Sequence, residues 1–82
     1  MLPQSGTILK ARVKSHLVLG VYEWTPARAQ VGERFLLIAV ADSGPDKWWT
    51  LSSDHGIMRW FNHWIHEDGW QNSWDVVSWG KV

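Results

Sequence analysis

Eight tryptophans must be housed in a chain of 82 residues: Trp24, Trp48, Trp49, Trp60, Trp64, Trp70, Trp74 and Trp79. A buried Trp occupies about 150–250 Å². A domain of this size buries only about two-thirds of the surface its unfolded chain exposes, which leaves an interior of about 12–15 side chains. Leu9, Val13, Leu17, Leu19, Phe35, Leu37, Ile38, Val40, Leu51, Ile57, Val76 and Val77 compete for the same space. Eight indoles do not fit beside them, so some Trp are expected at the surface. Trp48 and Trp49 are adjacent, and in an extended segment neighbours point to opposite faces. Trp49 alternates with Leu51 and is expected inside; Trp48 alternates with Thr50 and is expected outside. The chain has no cysteine, so neither disulfides nor thiolate metal sites can help a small core.

The apolar pattern has a period of two. From Thr7 to Leu19, Leu9, Ala11, Val13, Leu17 and Leu19 fall on one face and Lys10, Arg12, Lys14 and His16 on the other, as in a half-buried strand. Gly20 either bends this strand or separates two. Val21 to Trp24 continues extended and stops at Thr25-Pro26, and Ala27 to Gln30 reads as a loop or one helical turn. Arg34 to Ala41 is apolar on both faces and rich in β-formers, which predicts a central strand covered on both sides. Asp42 to Asp46 is a turn. Lys47 to Ser52 is the next strand, and Ser53-Asp54-His55-Gly56 turns the chain back. After Gly56 two readings compete. Ile57, Trp60, Phe61, Trp64 and Ile65 have helical spacing. A hairpin strand over Ile57 to Phe61, with a short helical turn through about Glu67, suits the β-forming residues and the preceding turn better. Trp74 to Trp79 is the last strand.

These elements predict one mainly β domain: a small barrel or rolled antiparallel sheet of five to six strands with one short helical turn. Val31-Gly32-Glu33-Arg34-Phe35 leads into a strand. A hairpin follows from Trp49-Thr50-Leu51 through Asp54-His55-Gly56 to Arg59-Trp60-Phe61. A one-turn helix near Asn62 to His66 and a closing strand Trp74 to Trp79 complete the pattern. This order resembles the short SH3-like barrels of bacteria and their viruses. The resemblance implies a binding role, for which a phage-encoded inhibitor of a host protein is one concrete form. The acidic-aromatic motif of proline-reading SH3 domains is missing, as is the glycine pattern of ribosomal-type barrels, so neither of those ligands is implied.

Little in the chain supports catalysis. Ser52, Ser53, Asp54 and His55 lie in one turn, where neighbours cannot form a relayed triad. There is no phosphate-cradling glycine loop, and Glu67-Asp68 reads as solvated. His63 and His66, with His55, Glu67 and Asp68 nearby in sequence, are the only metal-ligand set, and they fall short of a zinc site with secured geometry. Neither a metal nor a cofactor is expected. The longest apolar run, Phe35 to Ala41, is far short of the ~20 residues of a membrane-spanning helix. Met1 to Lys14 has no basic region followed by an apolar block, and a cytoplasmic location is the default expectation.

The expected function is therefore non-catalytic protein binding through Trp48, Trp60, Trp64, Trp70 and Trp24, since Trp is a leading hot-spot residue. A homodimer is compatible with this reading. The alternative is a single-stranded nucleic acid held by Lys10, Arg12, Lys14 and His16, spaced about 6.6–6.8 Å apart along one strand. The overall balance argues against it. Net charge is zero, with +3 in residues 1–41 offset by −3 in residues 42–82, and the pI is about 6.9, where dedicated nucleic-acid modules are usually basic. Far-UV circular dichroism should show a β spectrum; helix above about a third of residues, the ordinary globular share, contradicts the assignment.

Overall fold

The computed structural model describes residues 2–19, 25–43, 46–61 and 68–80. Seven strands form one antiparallel sheet: β1 (Ile8–Ala11), β2 (His16–Leu19), β3 (Thr25–Arg28), β4 (Arg34–Ser43), β5 (Asp46–Ser53), β6 (Gly56–Phe61) and β7 (Trp74–Ser78). Their order is β3-β2-β6-β5-β4-β1-β7, and the sheet stays open. This corrects the expectation of five to six strands and of a closed barrel; the single antiparallel sheet and the absence of α-helix among the described residues agree with it. A 3-10 turn over Asp68–Asn72 precedes β7. The helical turn expected near 62–66 lies outside the described residues, as does the extended segment 21–24.

The alternation of residues 7–19 is real, but it belongs to two strands. β1 sits between β4 and β7, and β2 between β6 and β3. The chain bends over residues 12–15, held by backbone bonds from the Arg12 N–H to the Ser73 carbonyl (2.9 Å) and from the Ala29 N–H to the Ser15 carbonyl (2.9 Å). Thr25-Pro26 opens β3 rather than closing a strand, and β3 runs through Ala27 and Arg28, where a loop or one helical turn over Ala27 to Gln30 is expected from sequence. Pro26 pairs with Val18 on an edge strand, the place in a sheet where a missing N–H costs nothing.

The hairpin reading of residues 57–61 holds. β5 and β6 pair from Trp48↔Phe61 to Ser53↔Gly56, and Gly56 takes φ 115° at the turn, a conformation that favours glycine. β4 carries a bulge between Leu37 and Ala39 in its pairing with β5, which increases local twist and bends the strand. The described structure measures 30 × 30 × 22 Å. Its least dimension is about twice the ~10 Å separation of packed sheets, so the sheet is curled around its own inner face.

That inner face is the core. It holds Leu9, Ala11, Leu17, Ala29, Phe35, Leu37, Trp49, Leu51, Met58 and Trp60, joined by Trp70 from the 3-10 turn and Trp74 from β7. No second layer of described residues lies behind β4: Leu36 is exposed on the outer face, and beyond the bulge Ile38 and Val40 are exposed too, although Val40 is opposite Trp49 in register. The chain ends are pinned beside β1. The Gly6 N–H donates to the Leu37 carbonyl (2.8 Å), and the Gly80 N–H donates to Oγ1 of the buried Thr7 (2.9 Å). A Cβ at Gly80 would overlap the Ser5 carbonyl oxygen and the Thr7 nitrogen, both backbone atoms. Gly80→Ala is accordingly expected to cost about 1–3 kcal/mol, as overpacking does. At about 4–8 °C per kcal/mol for a domain of this size, thermal melting reads it directly; an unchanged melting temperature contradicts the clasp.

Candidate binding surface

Strand pairing decides which side chains share the outer face. Leu36, Ser52 and Ile57 align across β4, β5 and β6, with Ile8 of β1 opposite Leu36. Thr50 and Arg59 align next, with Val18 of β2 opposite Arg59, and then Trp48 and Phe61. Residues directly opposite in a sheet point to the same side. These therefore lie on the side away from Leu37, Leu51, Trp49 and Trp60. Leu36 is 44% exposed, Ile57 42% and Phe61 36%.

Trp48 anchors one end of this face. Its ring packs against Phe61 (centroids 5.8 Å, interplanar 36°). The Arg59 guanidinium sits over it at 5.9 Å, within cation–π range. Trp48 is half-buried, whereas its neighbour Trp49 is fully buried, as the alternation of faces requires.

The remaining Trp expected at the surface are placed differently. Trp60 and Trp70 are both in the core, not on the outer face. Trp60 is opposite Trp49 in register, which sends it inward. Trp70 turns inward from the 3-10 turn to meet Trp49 at 5.8 Å. Trp24 and Trp64 lie outside the described residues. Trp79, half exposed, packs edge-on against Trp70 at 6.3 Å and 87°. Trp79 is not among the Trp expected to bind a partner.

The basic row is broken. Lys10 is in β1, Arg12 and Lys14 are in the bend, and His16 is in β2, so the regular spacing of one strand is lost. Arg12 is also engaged: Nη1 donates to the Gln71 carbonyl (2.7 Å), and Nε lies 3.5 Å from the Asp75 carboxylate. Lys10 is paired in register with Asp75 on one side and Arg34 on the other. Two grooves flank the bend. One, about 200 Å³, lies between Arg12 and Asp75 and the rings of Trp70, Trp74 and Trp79. The other, about 260 Å³, runs from residues 13–16 to Trp60, Phe61 and Ser73.

Among the described residues, no three His, Asp or Glu side chains cluster in a way that could hold a metal ion. His55 instead approaches Glu33 (3.9 Å), and His63, His66 and Glu67 lie outside the described residues. No described helix is long and apolar enough to cross a membrane. Family models, curated proteins and solved structures give no significant match to this chain.

The two adjacent Trp should respond oppositely to truncation. Trp49→Ala is expected to cost about 3–5 kcal/mol, enough to unfold a marginal domain. Trp48→Ala, which removes one partly solvated ring, should melt close to the parent. Equal destabilisation by both contradicts the two-face assignment.

Proposed function

We propose that the protein is a non-catalytic binding module that engages another protein through the outer face of β4, β5 and β6. The observation that carries this reading is the composition of that face. Leu36, Ile57 and Phe61 are all exposed on it, with Ser52 between Leu36 and Ile57 and Arg59 between Ile57 and Phe61, and Trp48 packs against Phe61 and Arg59 at one end. Several large apolar side chains exposed on one face, rimmed by polar residues, are a feature of interaction sites. Trp and Arg at the margin of such a patch are the residue types that dominate measured interface energies. Ser15, the buried hydroxyl lining the second groove, has no base bonded to it among the described residues, which favours binding over catalysis.

The resemblance to short SH3-like proteins of bacteria and their viruses is part of the same proposal. It is supported by the run β7-β1-β4-β5-β6 and by the 3-10 turn immediately before the last strand. An inhibitor of a host protein remains its most concrete form. Single-strand nucleic-acid binding is the weaker reading, because Arg12 is committed to Asp75 and Gln71 and the basic row is split between two strands.

Affinity capture from a bacterial lysate, run with the parent and with Trp48→Ala and with and without nuclease, tests the proposal. A protein retained by the parent after nuclease treatment should be lost from Trp48→Ala, at a cost of about 2 kcal/mol or more in affinity for a hot-spot ring. Retention unchanged by Trp48→Ala, or binding that disappears with nuclease, contradicts it.

A further inference from the structure

The bend between β1 and β2 builds a groove that the outer face alone does not explain. Val13, Lys14, Ser15 and His16 form one wall. Trp60 and Phe61, at the end of β6, and Ser73, just before β7, form the other. Three observations give this groove a chemical preference.

The first is charge. Lys14 and His16 are exposed, and Arg28 is opposite His16 in the β2–β3 register and is exposed as well. The described lining residues include no carboxylate. The second is an unmet polar group. Ser15 is 94% buried, since only 6% of its surface is exposed, and its Oγ has no hydrogen-bond partner among the described residues. A buried hydroxyl without a partner costs on the order of 1–3 kcal/mol, and a hydroxyl can turn its proton toward an incoming acceptor. The third is continuity. Phe61 lines the groove and also packs on Trp48, so one ligand can span groove and outer face. Exposed Val13 adds an apolar contact at the other wall.

We infer that this groove receives an acidic side chain, Asp or Glu, of an extended partner segment whose neighbouring apolar residue rests on Phe61. The inference rests on the binding-module reading and names the partner's chemistry. A carboxylate fits the combination of the Lys14 ammonium, an imidazole N–H of His16 and the Ser15 hydroxyl. A nucleic-acid strand would need a continuous basic track with stacking rings along it, and Arg12, the next basic residue in line, is already paired with Asp75.

The test is an NMR titration of ¹⁵N-labelled protein with three probes: a synthetic peptide alternating Glu with Leu and Phe, the same peptide with Gln for every Glu, and oligothymidylate. The acidic peptide should shift the amides of residues 13–16 and of Phe61. Its affinity should fall about tenfold on Gln replacement or in Lys14→Glu, as expected for loss of a charge-assisted hydrogen bond. Ser15→Ala should weaken binding without lowering the melting temperature, because it removes an unpaired hydroxyl. Equal binding of the Gln peptide, shifts confined to other residues, no binding of the acidic peptide, or tighter Lys14-dependent binding of oligothymidylate each overturns the inference. Its failure is separable from failure of the surface reading. If Lys14→Glu leaves capture of the lysate protein intact while Trp48→Ala abolishes it, the groove inference falls and the outer-face reading stands.

Discussion

The rest of the structure depends on a chain of aromatic contacts across the hollow of an open sheet. Phe35 meets Trp74 edge-on at 5.4 Å, Trp74 meets Trp60 at 5.6 Å, Trp60 meets Trp49 at 4.8 Å, and Trp49 meets Trp70 at 5.8 Å. The Trp60–Trp74 contact matters most. It joins β6 to β7, which are separated in the sheet by β5, β4 and β1. Two indole rings, not a backbone ladder, make that connection. Trp49, Trp70 and Trp74 bury indole N–H groups that have no acceptor among the described residues. Each omission costs on the order of 1–3 kcal/mol. Burying 150–250 Å² of ring surface at about 25 cal/mol per Å² contributes about 4–6 kcal/mol, so the apolar term outweighs the unmet donors.

This explains which parts of the architecture could be read from the residues. Period-two alternation marks an extended segment wherever it occurs, and the Asp54-His55-Gly56 turn has a specific backbone requirement. The β5–β6 hairpin and the opposite faces of Trp48 and Trp49 were therefore legible. The bend at residues 12–15 was not. Arg12, Val13 and Lys14 carry no turn signal, and the alternation runs through them unbroken. What breaks the strand is tertiary: Arg12 is held by Ser73, Gln71 and Asp75, more than fifty residues further along the chain. Strand number and closure depend on such long-range pairings, which local pattern does not encode.

The described indoles do not all fit inside, as the volume argument requires: Trp48 is half-buried and Trp79 half exposed. Yet Trp49, Trp60, Trp70 and Trp74 are inside, while Val13, Ile38, Val40, Ile57 and Val77 are exposed. The larger ring removes more apolar area from water per position, and interlocked edge-on pairs add about 0.5–1.5 kcal/mol beyond area. A small interior filled with four indoles has less space for aliphatic side chains, and Leu36 of β4 and Ile57 of β6 lie exposed on the outer face. The apolar surface read above as a binding site is thus linked physically to the composition of the core. Of the surface Trp proposed from sequence, Trp48 is the described one that remains at that surface, because register with Phe61 rather than with Trp60 places it there.

The same competition accounts for the groove at the bend. Trp60 and Trp74 meet across the sheet's open side, so β6 ends close to the segment that leads into β7, and the two bring Phe61 and Ser73 to one place. The chain leaving β1 must cross this gap to reach β2, which lies against β6. It crosses in the four residues 12–15, too few to form an element that fills the space. Ser15 is drawn under cover by the bond between its carbonyl and Ala29, and its hydroxyl is left without a partner among the described residues. Lys14 and His16 stay in solvent on either side. A cationic, partly apolar cleft beside the outer face thus follows from using ring contacts instead of a hydrogen-bond ladder to hold the sheet's distant strands together.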